Sequence, residues 1–109
     1  MLRTEPAIQV DIGRTNTVMV DFGFDVSGDT ITSQIRAEED RTSQLLATWS
    51  VAFDSDGTDG LLVLTLDDSD TLGITRSTGY MDFKRVTGGE PVSVIEKPIL
   101  VRFQKTVTA

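Results

Sequence analysis

The chain has 109 residues, 39 % of them hydrophobic and 25 % charged, and a formal net charge of −7. This is the composition of a globular chain, and we predict that residues 1–109 form a single domain. The negative charge would repel phosphate groups, so we expect neither nucleic acid nor an anionic membrane as a partner. The sequence has no Cys and no His, which excludes disulfides, thiolate metal sites and Ser–His or Cys–His catalysis.

Apolar and polar residues alternate along most of the chain, and side chains two residues apart share one face of a β-strand. In chain order this pattern predicts strands at residues 7–11, 17–24, 31–37, 45–53, 62–66, 79–86, 92–95 and 99–107. Turn-forming residues separate them at 27–29, 54–60 and 88–91. Seven or eight short strands predict an all-β fold, an Ig-like antiparallel β-sandwich with about 40 % strand or more and under about 10 % helix.

One segment breaks the alternation. Residues 67–74 begin with three carboxylates, Asp67, Asp68 and Asp70, followed by a short apolar stretch. Two carboxylates can hydrolyse a glycosidic bond, but acidic residues also accept hydrogen bonds from the free N–H groups that begin a helix. We therefore predict a short helical turn near residues 68–74, which crosses from one sheet to the other.

The sharpest local signal is the acidic loop 54–60, which contains Asp54, Asp56 and Asp59 together with Gly57 and Gly60. A calcium loop needs carboxylates at fixed spacing and a bidentate Glu, and this loop has neither. We interpret it as a hairpin loop of ordinary turn-forming residues. No catalytic, cofactor-binding or metal-binding residue is assigned, and no enzymatic activity is expected.

Two aromatic residues test the predicted faces. Trp49 is the only Trp and lies among inward-facing residues, so we expect it in the core rather than in a ligand site. In the strand 79–86, either Met81 and Phe83 point inward or Tyr80 and Asp82 do. We favour Tyr80 inward, because a Tyr hydroxyl can bond to the backbone at the corner of a sandwich.

The basic residues are dispersed among acidic ones, so we expect solvated charges rather than an anion site. Five of the ten basic residues lie in this dispersed pattern between residues 36 and 85: Arg36, Arg41, Arg76, Lys84 and Arg85.

From residue 30 to residue 108 the chain resembles a known family. The elements that carry the resemblance are Gln34-Ile35-Arg36, Trp49-Ser50-Val51, the strand 60–66, Thr71-Leu72, Gly79-Tyr80-Met81-Asp82-Phe83, Gly88-Gly89-Glu90 and a final Val107-Thr108. In this order they resemble the small Ig-like domains of tailed bacteriophages and are similar to the N-terminal domain of the phage baseplate upper protein family. The resemblance implies a structural virion protein of the tail or baseplate, located in the virion, with other virion proteins as partners and no active site. A capsid decoration protein and a carbohydrate-binding or adhesin module are the alternatives.

Assembly is expected through strand edges and loops, with neighbouring copies of the chain among the possible partners. Pro91 and Pro98 bracket the penultimate strand, which indicates an edge position. The segment 7–11 has few partners nearby in sequence, so we expect it to pair with a neighbouring subunit by strand addition.

Overall fold

The computed structural model describes residues 8–40, 42–92 and 98–105, of which 54 % are in strands and 4 % in helix. The elements are β1 (Ile8–Asp11), β2 (Asn16–Asp21), β3 (Thr30–Arg36), β4 (Leu45–Thr48), β5 (Ser50–Phe53), β6 (Leu61–Leu66), α1 (Asp68–Thr71), β7 (Thr78–Thr87), β8 (Glu90–Val92) and β9 (Ile99–Gln104). The all-β prediction is confirmed. Parts of the predicted strands 92–95 and 99–107 lie outside the described residues.

Two sheets form a β-sandwich. The larger has the order β1-β9-β7-β3-β4, with β8 pairing the far end of β7, and the smaller has the order β2-β6-β5. All pairs are antiparallel except β1 and β9, which are parallel. The predicted turn crossing between sheets is confirmed, because α1 joins β6 in the small sheet to β7 in the large one.

The described residues form nine strands, one more than the sequence predicts, because the predicted strand 45–53 is divided. β4 pairs with β3 in the large sheet, and β5 pairs with β6 in the small sheet. Trp49 is the single residue between them. The backbone N–H of Trp49 donates to the Ser33 carbonyl at 2.9 Å, so Trp49 is still bonded to the large sheet, and the next residue, Ser50, begins the strand of the small sheet.

The core lies between the sheets and consists of the inward-facing residues of each strand. β6 contributes Leu62, Leu64 and Leu66, each with no exposed surface. Trp49 is 3 % exposed, so the prediction that it lies in the core is confirmed. Burial of each such side chain contributes roughly 1.5–3 kcal/mol.

The favoured orientation of β7 is wrong, and the predicted strand 17–24 ends earlier than expected. In β7, Met81 and Phe83 are buried, whereas Tyr80 is half-buried and Asp82 exposed. With this orientation Asp82 stays hydrated, and an inward Asp82 would have lost that hydration. Phe24 does not continue the inward face of Val20 and Phe22 but is 42 % exposed, because β2 ends at Asp21 and Gly23 turns the chain at a φ of 77°.

The expected role of the N-terminal segment also needs correction. β1 pairs with a strand of its own chain and not with one of a neighbouring subunit, and Val10 lies opposite Phe103 of β9. Val10 has no exposed surface. The sequence gives no local clue to this pairing, because the two strands lie at opposite ends of the chain.

Candidate functional site

The loop end of the sandwich, formed by residues 22–29, residues 54–60 and the β7–β8 turn, is the best-organised candidate interaction site. Two backbone hydrogen bonds hold the first two loops together. The Phe22 N–H donates to the Gly60 carbonyl, and the Val26 N–H donates to the Gly57 carbonyl, both at 2.9 Å. The loop end therefore keeps a defined shape in spite of its lack of regular secondary structure.

Gly60 is required for this contact between the loops. Its φ is +78°, and a Cβ at this position would lie 2.5 Å from the Phe24 carbonyl oxygen and 3.0 Å from the Phe24 nitrogen. Real Cβ atoms do not come this close to a backbone oxygen. The glycine thus allows one loop to pack directly on the backbone of the other.

A partly buried ion pair lies at the centre of the loop end. Arg85 of β7 donates from Nε to the Asp29 Oδ2 at 2.6 Å, and the two side chains are 19 % and 7 % exposed. The Arg85 guanidinium also lies over the Phe24 ring, 4.8 Å from its centroid. Arg85 is therefore not one of the solvated charges that the sequence predicts, because an acceptor 56 residues away in the chain and an aromatic ring both engage it.

Hydrogen bonding favours the charged form of Asp29. The Thr87 side chain and then Arg85 donate to its carboxylate, and together they lower the pKa of Asp29 below the usual 3.8. At neutral pH the carboxylate is ionised and the Arg85 pair is complete. The cluster Phe24–Arg85–Asp29 therefore combines an exposed aromatic side chain with a fixed cation, and both Phe and Arg are residue types enriched in protein interfaces.

The acidic residues of the loops act as turn formers, as the sequence predicts. Asp56 accepts from the Thr58 N–H at 3.1 Å and from the Thr58 hydroxyl at 2.7 Å, and these bonds lower the pKa of Asp56. Asp59 accepts from the Leu61 N–H at 3.0 Å. No group of three or more acidic side chains that could hold a metal ion is found within residues 8–40, 42–92 and 98–105.

The second acidic segment organises α1. The Asp70 Oδ2 accepts from the Asp67 N–H at 2.9 Å, across the first turn of the helix. Thr71 is fully buried, and its hydroxyl accepts from the Gly13 N–H at 2.8 Å, which ties α1 to the β1–β2 loop. The prediction of a capped turn is confirmed here, although α1 ends at Thr71 rather than near residue 74.

The other basic residues expected to be solvated differ in their surroundings. Arg36 is half-buried and donates to the Ser43 carbonyl at 2.8 Å and to the Gln34 Oε1 at 3.0 Å. Arg76 forms an exposed ion pair with Glu38 at 2.9 Å. Lys84 is exposed, and Arg41 lies outside the described residues.

Four large hydrophobic side chains are exposed among the described residues: Met19 at 57 %, Phe24 at 42 %, Leu45 at 44 % and Leu72 at 67 %. Strand alternation could have found Met19, which follows the outward pattern of β2. It could not have found Phe24, whose exposure depends on the turn at Gly23.

No protein-family model matches this chain, and no curated protein matches it. In the part of the chain that the structure describes, no helix has the length and apolar character needed to span a membrane.

Proposed function

We propose that this chain is a structural virion protein of a tailed bacteriophage, a component of the tail or baseplate that binds other virion proteins through its loop end. The observation that carries the binding role is the cluster Phe24–Arg85–Asp29, held on a framework of backbone hydrogen bonds. Such a cluster suits a protein partner, because an aromatic side chain with Arg beside it gives contact area and directional hydrogen bonds at little entropic cost.

The order of the strands supports an Ig-like fold. When the strands are lettered in chain order, β2-β6-β5 corresponds to the B-E-D sheet of an Ig-like sandwich, and β9-β7-β3-β4 corresponds to its G-F-C-C′ sheet. The loop end then contains the B–C and D–E connections and the β7–β8 turn that follows strand F, and binding residues in such folds commonly lie on connections of this kind. Tyr80 departs from the antibody pattern, because β7 turns it outward.

The assignment to a virion rests on the resemblance of residues 30–108 to phage Ig-like domains. An interaction module fits such a particle, because many weak contacts repeated around an assembly give high avidity. Fold alone does not fix function, so a test in phage particles is needed.

The test is the incorporation of Phe24→Ser into particles of the phage that encodes the chain. Phe24 lies at the loop end, and the matched control Leu72→Ser lies beyond β6 at the opposite end and is more exposed. Quantitative mass spectrometry of purified virions should show the parent and Leu72→Ser at equal copy number and Phe24→Ser depleted at least about tenfold, as expected for the loss of an interface hot spot. Absence of the parent chain from virions would refute the proposed function. Equal incorporation of both variants would instead refute the loop end as the binding site.

A further inference from the structure

The edge of β2 differs from the edges of β1 and β8. Edge strands present unpaired N–H and C=O groups, and proteins usually cover or interrupt them. At β1, the Asn16 side chain accepts from the Asp11 N–H at 2.8 Å and donates to the Asp11 carbonyl at 3.0 Å, so it takes the place of a neighbouring strand. β8 carries Pro91, which removes one N–H from its ladder.

Alternate residues of β2 leave their backbone groups open. The register pairs Val18 with Leu64 and Val20 with Leu62, and the Phe22 N–H donates to the Gly60 carbonyl in the same phase. Even-numbered residues therefore bond to β6, and the N–H and C=O groups of Thr17, Met19 and Asp21 point the other way. These groups have no hydrogen-bond partner among the described residues.

The same three residues present their side chains on the outer face of the small sheet. Thr17 and Asp21 are exposed, and Met19 between them is 57 % exposed. Met19 lies beside Val63 of β6, which lies beside Ala52 of β5, so an apolar row crosses the sheet and ends at the open edge.

We propose that two copies of the chain pair antiparallel along β2 about a two-fold axis at Met19. A two-fold interface requires a patch that is complementary to itself, and this edge meets that requirement. Pairing about the axis places Met19 beside Met19 of the second copy and each Thr17 opposite the other copy's Asp21. The Thr17 hydroxyl can then donate to that carboxylate. One Asp21 oxygen is engaged by the Gly23 N–H at 2.8 Å, which leaves its other oxygen to accept.

Charge favours the antiparallel arrangement. Each copy carries a net charge of −7, so two copies repel one another, and the repulsion is smaller when the carboxylates of the two copies lie far apart. β2 leads directly into the acidic loop end. Antiparallel pairing places the two loop ends at opposite ends of the joint sheet, measured along the strands. The apolar row then continues from the outer face of one copy onto that of the other.

The first test is a set of charge variants followed by sedimentation equilibrium of the purified chain. Thr17→Asp places a carboxylate opposite Asp21 of the second copy, whereas Thr17→Lys places an ammonium group there. Thr17→Asp should weaken dimerisation roughly tenfold and Thr17→Lys should strengthen it by a similar factor, since each dimer contains two such cross-strand pairs. Thr17→Asp combined with Asp21→Lys should restore the parent affinity.

Ser50 gives the matched control. It is exposed in the same cross-strand row as Thr17, through Thr65, but at the far side of the small sheet. Ser50→Asp and Ser50→Lys therefore change the net charge equally without approaching the axis. A monomer at every concentration up to the millimolar range would overturn the proposal, and so would equal effects of the Thr17 and Ser50 variants.

The second test is amide hydrogen exchange, residue by residue, at low and high protein concentration. The amides of Val18 and Val20 should be protected at both concentrations, whereas those of Thr17, Met19 and Asp21 should become protected only in the dimer. Protection of these three amides that does not change with concentration, or their rapid exchange in a dimer, would overturn the proposal. Pairing in solution does not depend on whether the chain is a virion protein, so this inference and the proposed function can fail separately.

Discussion

Trp49 is deeply buried, and its side chain carries a hydrogen-bond donor that has no acceptor within the described residues. Its ring is 3 % exposed, and the indole Nε1 has no hydrogen-bond partner within the described residues. Burial of the ring stabilises the fold, whereas a buried donor without an acceptor costs about 1–3 kcal/mol. The two effects can be separated by substitution.

Trp49→Ala should lower the free energy of unfolding by about 3–5 kcal/mol, the usual cost of removing a large buried aromatic side chain. Trp49→Phe should cost less than half as much, because it keeps much of the apolar contact and removes the unpaired donor. Urea denaturation followed by circular dichroism measures both. Equal losses would mean that the N–H does have a partner, and a loss under about 1 kcal/mol for Trp49→Ala would mean that the ring is not in the core.

The carboxylates of the loop end should control stability in acid. Hydrogen bonds lower the folded-state pKa of Asp25, Asp29 and Asp56. A group with a depressed folded-state pKa adds stability above its unfolded pKa, and that stability is lost as the pH falls through the folded value. The free energy of unfolding should therefore be constant from neutral pH to about pH 5 and should fall below about pH 4.

Asp29→Asn should reduce this fall, because one of the protonating groups is removed. Its neutral-pH stability should also drop, since Arg85 loses its charged partner. Asp82→Asn, on the exposed face of the same strand as Arg85, controls for the loss of one negative charge. An acid transition in Asp29→Asn as steep as in the parent would show that Asp29 does not contribute.

At the scale of the elements, Gly60, the last residue of loop 54–60, offers a test of loop packing. Gly60→Ala places a Cβ against the Phe24 backbone and also strains a positive φ, whereas Gly28→Ala strains a φ of +79° in open space. The conformational cost is about 1–2 kcal/mol at each position. Gly60→Ala should therefore destabilise the protein by at least about 2 kcal/mol more than Gly28→Ala, because backbone atoms must also move. Thermal or chemical unfolding of the two variants decides the matter, and equal losses would contradict the close approach of the loops.

β1 is a structural strand, and its removal should therefore be costly. Deletion of residues 1–11 removes the parallel ladder with β9 and the fully buried Val10. Val10→Ala alone should cost about 2 kcal/mol, from two buried methyl groups and the space they leave. The deletion should lower the melting temperature by much more than the point variant, and an unchanged melting temperature would show that β1 contributes nothing to the core.

The sequence predicts most of these elements but not their partners. Alternation identifies residues 45–53 as one extended run with Trp49 inward, yet it carries no information about which neighbour each half meets. Alternation does not choose between the two faces of β7, because both faces carry an aromatic residue. The cost of burying the Asp82 carboxylate favours the observed orientation, and a hydrogen bond from Tyr80 would not offset that cost. The Arg85–Asp29 pair has no local signal at all, since tertiary packing alone brings its members together.

For the whole molecule, the melting temperature in the presence of calcium tests whether the acidic loops bind a metal ion. The loop carboxylates accept hydrogen bonds from neighbouring residues, as with Asp56 and Thr58. We therefore expect that millimolar calcium leaves the melting temperature unchanged beyond the small effect of ionic strength, which magnesium at the same concentration measures. A rise of several degrees that is specific to calcium would reveal a bound ion, because a ligand that binds only the folded state stabilises it.

The parallel pairing of β1 with β9 has a mechanical consequence. The chain enters β1 at one end of the ladder and leaves β9 at the other, because the two strands run in the same direction. Tension applied between the two ends of the chain would therefore pull these strands past each other along their length. The hydrogen bonds from Ile8 to Asp11 would bear the load together, in shear, rather than opening one at a time. Forced unfolding is governed by the unfolding rate, so this ladder would make resistance to extension depend on a barrier that equilibrium stability does not measure.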